Sequence, residues 1–146
     1  MGRKVTTHSR RITSEREGSV DWQDAMDSFA LYAALVEDEG AREVLMDMGR
    51  AEILISQNEA PELARMFARE TPETLAVAIV RPTHSNDARF IEMFIAELKK
   101  AGRPVGLFDT VEDADAFLVS QRDAGAPAGR TGGKGLLDRL KGLFEG

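Results

Sequence analysis

The chain has no cysteine, only two histidines and one tryptophan in 146 residues. The absence of cysteine excludes disulfides, thiolate nucleophiles and thiolate metal sites, and the distant His8 and His84 have no metal-ligand spacing. No apolar run approaches the roughly 20 residues of a membrane span, and the N-terminus lacks the apolar region of a secretory signal. We therefore expect a cytoplasmic protein without metal or cofactor.

Basic residues are scarce in the central part of the chain. Residues 1–18 carry a net charge of +3 and residues 122–146 of +2, whereas residues 19–121 carry −11. Because neutralisation of phosphates dominates nucleic-acid binding, an acidic body argues against nucleic acid as a partner. We interpret the acidic residues as a solvated helix surface.

The spacing of apolar residues predicts alternating strands and helices. Residues 4–20 have hairpin composition, broken at Gly18, and Asp21 is predicted to cap a long amphipathic helix that ends at Gly40. Later elements follow the same logic. They are a strand at 42–48, a helix capped by Asn58, a buried strand at 75–80, a helix capped by Ser85 or Asn86 and closed by Gly102, a strand at 104–108 and a helix at 111–121.

This arrangement resembles the STAS-like domains, which are relatives of the anti-sigma-factor antagonists and of sulfate-transporter C-terminal domains. The resemblance covers about residues 4–120. It rests on the hairpin and on the segments GSVDW (18–22), REVLMDM (42–48), LAVAIV (75–80), NDARF (86–90) and GRPVGLF (102–108). It implies an α/β fold: a mixed four- or five-stranded sheet with helices mainly on one face, here with a C-terminal amphipathic helix on a flexible linker.

One segment departs from that family's pattern. Antagonists of the superfamily present a phosphorylatable Ser or Thr at a helix start, in an Asp-Ser-Ser/Thr-Gly-like context. In the matching stretch here, Ser56 takes the Asp-like position, Gln57 and Asn58 replace the hydroxyl residues, and no glycine follows. The resemblance thus implies a protein-interaction or regulatory module, not an enzyme, without the usual switch. Phosphorylation of Ser56 stays open, because a phosphate at a helix start is electrostatically favoured.

The loop after the 75–80 strand is a candidate ligand site. Loops at the carboxyl ends of parallel strands gather at one sheet edge, and Asp47, Ser56 and Asp109 are expected there with this loop. A helix start with a nearby arginine suits an anion, although capping alone explains the same residue types. The candidates for an anion, small ligand or lipid headgroup are Thr83, His84, Ser85, Asn86 and Arg89.

The C-terminal segment suggests a further contact. We divide the chain into a domain (1–121), a Gly/Ala/Pro-rich linker (122–133) and an amphipathic helix (134–146). A helix this short is unstable alone in water, so its apolar face requires cover from a homo-oligomer or its own domain, another protein, or weakly from the inner membrane surface. That face comprises Leu136, Leu137, Leu140, Leu143 and Phe144.

Overall fold

The computed structural model describes residues 2–125. Five strands, four α-helices and one short 3-10 helix follow one another within this range. The strands are β1 (Gly2–His8), β2 (Arg11–Val20), β3 (Glu43–Ile53), β4 (Ala76–Val80) and β5 (Val105–Phe108). The helices are α1 (Trp22–Glu39), α2 (Ala60–Glu70), α3 (Ser85–Lys100) and α4 (Val111–Gly125), with the 3-10 helix at Gln57–Glu59. A first compact unit ends at Asp115, and the rest of α4 belongs to a second unit.

The five strands form one mixed sheet in the order β1-β2-β3-β4-β5. β1 and β2 form the predicted antiparallel hairpin, and all later pairs are parallel. Because parallel crossovers are right-handed and each new strand is added on the same side, α1, α2 and α3 lie on one face of the sheet. This confirms the predicted architecture, and we call that side the helix face.

Aromatic rings from the three crossover helices meet in the core on the helix face. Phe67 of α2 contacts Phe29 of α1 edge-on at a centroid distance of 5.0 Å, and Phe94 of α3 lies 5.9 Å from Phe67. All three side chains are buried. Such edge-on pairs add about 0.5–1.5 kcal/mol each beyond area burial, so this cluster fixes the helices to one another as well as to the sheet.

The predicted boundary of α1 is correct at both ends. Asp21 and Asp24 form a reciprocal capping box: the Asp24 N–H donates to Asp21 Oδ1 at 2.8 Å, and the Asp21 N–H donates to Asp24 Oδ2 at 3.0 Å. Gly40 ends the helix in the left-handed conformation, with φ of 73°, which glycine adopts without a Cβ clash.

The strand predicted at 42–48 is longer than expected. Glu15 pairs with Asp47 but Glu17 pairs with Arg50, so β3 holds one extra residue beside β2. Such a bulge shifts by one position which residues of a strand point to the core. Even-numbered residues up to Met48 belong to the core, and Ala51 is the next residue of β3 that does. Gly18 also does not end β2, because its φ of 85° accommodates the backbone within the strand.

Two predicted helix caps are wrong. Asn58 lies inside the 3-10 helix and α2 starts two residues later, with Pro61 in its first turn, where a missing N–H costs nothing. Ser85 and Asn86 are already helical residues of α3, whose N-terminal flanking residue is His84. The other signals hold: Gly102 takes the left-handed conformation after α3, and Thr110 Oγ1 accepts the Asp113 N–H at 3.1 Å at the start of α4.

Candidate functional site

The segment between β3 and α2 carries the altered switch positions. Ser56 is exposed, and its hydroxyl donates to Asn58 Oδ1 at 2.6 Å. Leu54, two residues before it, is 58% exposed, compared with 43% for Val111 and 38% for Val119. Hydroxyl, amide and apolar groups are therefore presented together at this junction.

The loop between β4 and α3 carries the candidate ligand residues. The Thr83 hydroxyl donates to the Gly49 carbonyl at 2.7 Å, which ties the loop to the bulged part of β3. His84, Ser85 and Asn86 are exposed, and no side chain caps the first turn of α3. Capping therefore does not account for these residue types in the structure.

A hydrogen bond connects the two segments. Gln57 Nε2 donates to the Asn86 carbonyl at 3.1 Å, so the altered switch segment and the candidate ligand loop lie side by side at the carboxyl edge of the sheet. We call this region the junction surface. It comprises Leu54, Ser56, Gln57, Asn58, Thr83, His84, Ser85 and Asn86.

The remaining residues expected at this edge have other roles. Asp47 lies inside β3 because the strand continues past it, and its Oδ1 accepts the Gly49 N–H at 3.0 Å. Asp109 accepts from Arg81 Nε at 2.6 Å, and Arg81 also pairs with Glu92 of α3 at 3.3 Å. Arg89 is exposed on α3. The carboxylates are thus occupied in local bonds.

Sequence reasoning missed a polar layer under α1. Arg3 of β1 donates to the Ser28 hydroxyl at 2.6 Å, and the buried Tyr32 hydroxyl lies 3.0 Å from the hydroxyl of Ser14 in β2. Burial raises the pKa of Tyr32, so its hydroxyl stays protonated and can donate. Arg16 of β2 is the fifth member, with a side chain 9% exposed. Antiparallel pairing brings Arg3 and Arg16 opposite each other.

This layer faces one carboxylate on α1. Asp24 Oδ2 lies 3.8 Å from Arg16 Nη2. The pKa of Asp24 is lowered, first by the hydrogen bond from the Asp21 N–H and then by the nearby positive charges of Arg16 and Arg3. Arg16 therefore approaches this partly exposed carboxylate, and Arg3 acts on it only through its charge.

The remaining sequence expectations concern metal binding, membrane spanning and the C-terminal segment. Within residues 2–125, no cluster of His, Asp or Glu side chains has the makings of a metal site, and no helix of that range combines the length and apolarity needed to cross a membrane. Helix α4 takes in residues 122–125, the start of the predicted linker. The rest of the linker and the apolar face at Leu136–Phe144 lie outside the described residues.

Comparison with solved structures identifies the fold. The structure of the anti-sigma factor antagonist SpoIIAA in its unphosphorylated form aligns with a TM-score of 0.53 at 11% identity, over 82% of this chain and 98% of that one. An anti-sigma factor antagonist from Mycobacterium paratuberculosis aligns with a TM-score of 0.51 at 15% identity, over 83% and 93%. The phosphorylated form of Bacillus SpoIIAA gives 0.51 at 13%, over 80% and 99%.

Sequence comparison alone does not reach these proteins. No protein-family model matches the chain, and no curated protein sequence matches it significantly. The similarity therefore resides in the order and pairing of strands and helices, and it extends over nearly the whole of each antagonist. The chain has the STAS-like fold of the anti-sigma factor antagonists, as the pattern of its sequence predicts.

Proposed function

We propose that this protein is a non-enzymatic regulatory module that binds a partner protein through the junction surface. The observation that carries the proposal is the exposed Leu54 beside the amides and hydroxyls of that surface, held in place by the Gln57–Asn86 hydrogen bond. A preformed patch with an apolar centre and polar surroundings is the usual composition of a protein interface. Anti-sigma factor antagonists share this fold, which supports a protein partner.

We further propose that binding is not switched by phosphorylation in the manner of SpoIIAA, which has phosphorylated and unphosphorylated forms. Gln57 and Asn58 have no hydroxyl to phosphorylate, and the Ser56 hydroxyl is engaged by the Asn58 amide. The Gln57 amide instead makes the bond that joins the two halves of the surface. A surface that lacks a phosphorylatable hydroxyl at positions 57 and 58 supports constitutive binding.

Variants at the junction test the first proposal. The full chain, tagged and expressed in its native cell, is compared with Leu54→Ser and Gln57→Ala, and with Val111→Ser as the matched control, because Val111 is a 43% exposed apolar residue of α4. Each junction variant is expected to lose at least about tenfold in affinity for the retained partner, typical of a residue near an interface centre. Retention equal to that of Val111→Ser would refute the junction as the binding surface.

A separate pair of variants tests the absence of the switch. Ser56→Ala should bind the partner within about twofold of wild type, because it loses one local hydrogen bond between exposed groups. Ser56→Asp adds the charge that phosphorylation would bring. A phosphate found on Ser56 in protein from native cells, together with lost binding by Ser56→Asp, would overturn constitutive binding.

The predicted C-terminal helix is proposed to add a second contact, in the first place with its own domain or a second copy. Leu137→Ser with Leu140→Ser removes two apolar side chains from its predicted face. Sedimentation of the wild type and this double variant should show a change in oligomeric state if the helix docks on a second copy, whereas a lower melting temperature with unchanged sedimentation assigns it to its own domain. Unchanged sedimentation with lost partner binding would assign the helix to another protein, and lost binding to anionic vesicles would assign it to a membrane.

The alternative function, binding of an anion, small ligand or lipid headgroup at Thr83–Asn86, has less support from the geometry. The Thr83 hydroxyl is used on Gly49, and Asp87 places a negative charge in the first turn of α3. The open first turn is the observation that keeps this alternative. Titration with inorganic phosphate, followed by amide NMR shifts of residues 83–89 in wild type and Arg89→Gln, distinguishes the two: saturable shifts lost in the variant would establish anion binding.

A further inference from the structure

The outer edge of β1 is open in the part of the chain that the structure describes. β1 stands first in the order of the sheet, and among the strands of residues 2–125 it pairs only with β2. Its side chains from Arg3 to His8 are exposed except Val5, which is half-buried against the core. An edge strand presents backbone N–H and C=O groups to which a further strand can be added.

The backbone groups on this edge belong to alternate residues. The Arg10 carbonyl, just before β2, accepts the Arg42 N–H at 2.8 Å, so even-numbered residues of the hairpin's second half bond towards β3 and odd-numbered residues towards β1. The odd-numbered residues of β2 lie opposite the even-numbered residues of β1. Because hydrogen-bonded and non-hydrogen-bonded pairs alternate, Arg3, Val5 and Thr7 direct their N–H and C=O groups to the open edge.

This edge is positively charged in a protein that is otherwise acidic. Arg3 and Lys4 give β1 two positive charges, and the strand contains no acidic residue. In the hairpin Arg3 lies opposite another cation, Arg16, and Lys4 lies opposite Glu15. Residues 1–18 together keep a net charge of +3, against −11 for the central part of the chain. A negatively charged partner is therefore attracted to the hairpin and repelled by the rest of the body.

The two cations of β1 lie on opposite faces of the sheet. Arg3 points to the helix face, where its Nη1 donates to the Ser28 hydroxyl at 2.6 Å. Lys4 is the next residue of the strand and so points to the other face. A depression of about 150 Å³ on that face is lined by Lys4, Thr6, Thr13 and Glu15. A strand that meets both cations needs acidic residues at two neighbouring positions.

Charge selects the occupant of the edge. Charged side chains on an edge strand, here Lys4 and the inward-pointing Arg3, prevent edge-to-edge pairing of two copies. Residues 122–146, with a net charge of +2, are repelled in the same way. The phosphates of a nucleic acid accept hydrogen bonds but donate none, so they leave the carbonyls of the edge unpaired. An acidic peptide supplies donors, acceptors and opposite charge together.

We propose that the open edge of β1 binds an extended acidic segment of a partner protein as an additional antiparallel strand. The backbone of that segment bonds to Arg3, Val5 and Thr7, and two neighbouring carboxylates lie beside Arg3 and Lys4. β2 lies between this edge and β3, whereas the junction surface follows β3 and β4. The proposal therefore stands independently of binding at the junction surface.

The experiment is an NMR titration of the full-length protein with a synthetic peptide, acetyl-Thr-Val-Thr-Val-Glu-Asp-Thr-amide. In the antiparallel register that sets its second valine opposite Val5, its acids lie opposite Lys4 and Arg3. The edge N–H groups of Arg3, Val5 and Thr7 should gain protection from solvent exchange, while the even-numbered residues of β1, which already bond to β2, keep theirs. A neutral peptide with Gln-Asn in place of Glu-Asp should bind about fivefold or more weakly.

Two pairs of variants separate the backbone contribution from the charge contribution. Thr7→Pro removes an N–H that faces the open edge, which an edge strand tolerates, and should weaken binding of the acidic peptide by about tenfold or more. Thr7→Ala keeps this N–H and should bind within about twofold of wild type. Lys4→Gln should weaken binding by about two- to fivefold. Its matched control Arg50→Gln removes a 77% exposed cation of β3 and should change affinity by less than about twofold.

The outcomes are distinct even if one variant folds poorly. Circular dichroism and thermal unfolding check each variant, and Lys4→Gln, an exposed substitution, replaces Thr7→Pro if the latter is unfolded. Alternating protection, with weaker binding in the folded variants, supports the proposal. Edge N–H groups that are already protected in the free protein would mean that the chain itself or a second copy occupies the edge, and would overturn it. Equal binding of the neutral peptide, or protection without alternation, also overturns it.

Discussion

Two buried arginines of this fold are held in different ways. Arg103, just after α3, donates to the Pro72 carbonyl at 2.6 Å, to the Thr71 hydroxyl at 2.9 Å and to the Ala68 carbonyl at 3.3 Å. Its guanidinium also lies 5.5 Å from the centroid of the Phe67 ring. Arg16 has only contacts of 3.3 Å and 3.8 Å, beside a cavity. The Nε atom of both arginines lacks a hydrogen-bond partner. The two differ in the number and length of the contacts made by their Nη atoms, and only Arg16 lines the cavity.

The difference separates an arginine that joins two elements from one that is only weakly paired. The acceptors of Arg103 lie at the C-terminal end of α2, where carbonyls lack intrahelical donors and a cation is favoured. Burial lowers the pKa of Arg103, and arginine remains charged under such conditions. Arg103 therefore fixes the end of α2 to the start of β5. Arg16 fixes little by comparison.

Replacement of Arg103 should give the largest effect. Arg103→Met leaves the Thr71 hydroxyl and two carbonyls without their charged donor, and we expect a loss of about 2–4 kcal/mol in the free energy of unfolding. Urea unfolding followed by circular dichroism measures it. Arg65→Met is the matched control, an exposed α2 arginine with surface ion pairs, and should change stability by less than about 1 kcal/mol. Equal effects of the two would remove Arg103 from its structural role.

Removal of the Tyr32 hydroxyl should have an intermediate effect. Tyr32→Phe keeps the buried ring and deletes the hydrogen bond to Ser14, and a loss of about 1 kcal/mol in the free energy of unfolding is expected. The double variant with Ser14→Ala should be less destabilised than the sum of the two single variants, because the shared bond is lost only once. Strict additivity in urea unfolding would mean that the two hydroxyls do not stabilise each other.

Replacement of Arg16 should have the smallest effect on stability. Arg16→Met removes a buried, weakly paired charge and puts an apolar group in its place, so the free energy of unfolding should stay within about 1 kcal/mol of wild type. The same urea experiment applies, with Arg103→Met alongside. If Arg16→Met costs as much as Arg103→Met, the contrast between the two arginines fails.

The sequence predicted the order of elements because most boundary signals are local. Asp21 with Asp24, Gly40, Gly102 and Thr110 each act within a few residues, and the structure uses each as predicted. Continuous apolar composition was sufficient to predict β4, since a strand buried on both sides is apolar at every position.

The errors have tertiary causes. The bulge in β3 depends on its pairing with β2, which the sequence alone does not show. The alternation of apolar and polar residues breaks at the bulge, so the prediction ended the strand at Met48 and omitted its second half. The start of α3 lies beside Gln57, whose side chain donates to the Asn86 backbone carbonyl from 29 positions away, and neither Ser85 nor Asn86 caps the helix. The polar layer combines residues of β1, β2 and α1. The hairpin turn at Ser9 and Arg10 was a usable signal, because it fixes Arg3 opposite Arg16.

The acid side of the pH profile measures how strongly Asp24 is tied to Arg16. Since the pKa of Asp24 is lowered in the folded protein, its carboxylate stabilises the fold above its ordinary pKa of 3.8, and that stability is lost as the pH falls through the lowered value. Asp24→Asn keeps an oxygen for the capping box but not the charge. Its free energy of unfolding should therefore fall less than that of wild type as the pH drops below about 4.

Arg16→Gln measures how much Arg16 contributes to the pH dependence of the free energy of unfolding. The Asp21 N–H is the larger cause of the lowered pKa, so Arg16→Gln should flatten the acid profile less than Asp24→Asn does. Urea unfolding at several pH values measures both, and Arg50→Gln controls for the change in net charge. Equal flattening by the two variants would mean that Arg16, and not the Asp21 N–H, is the main cause of the lowered pKa of Asp24.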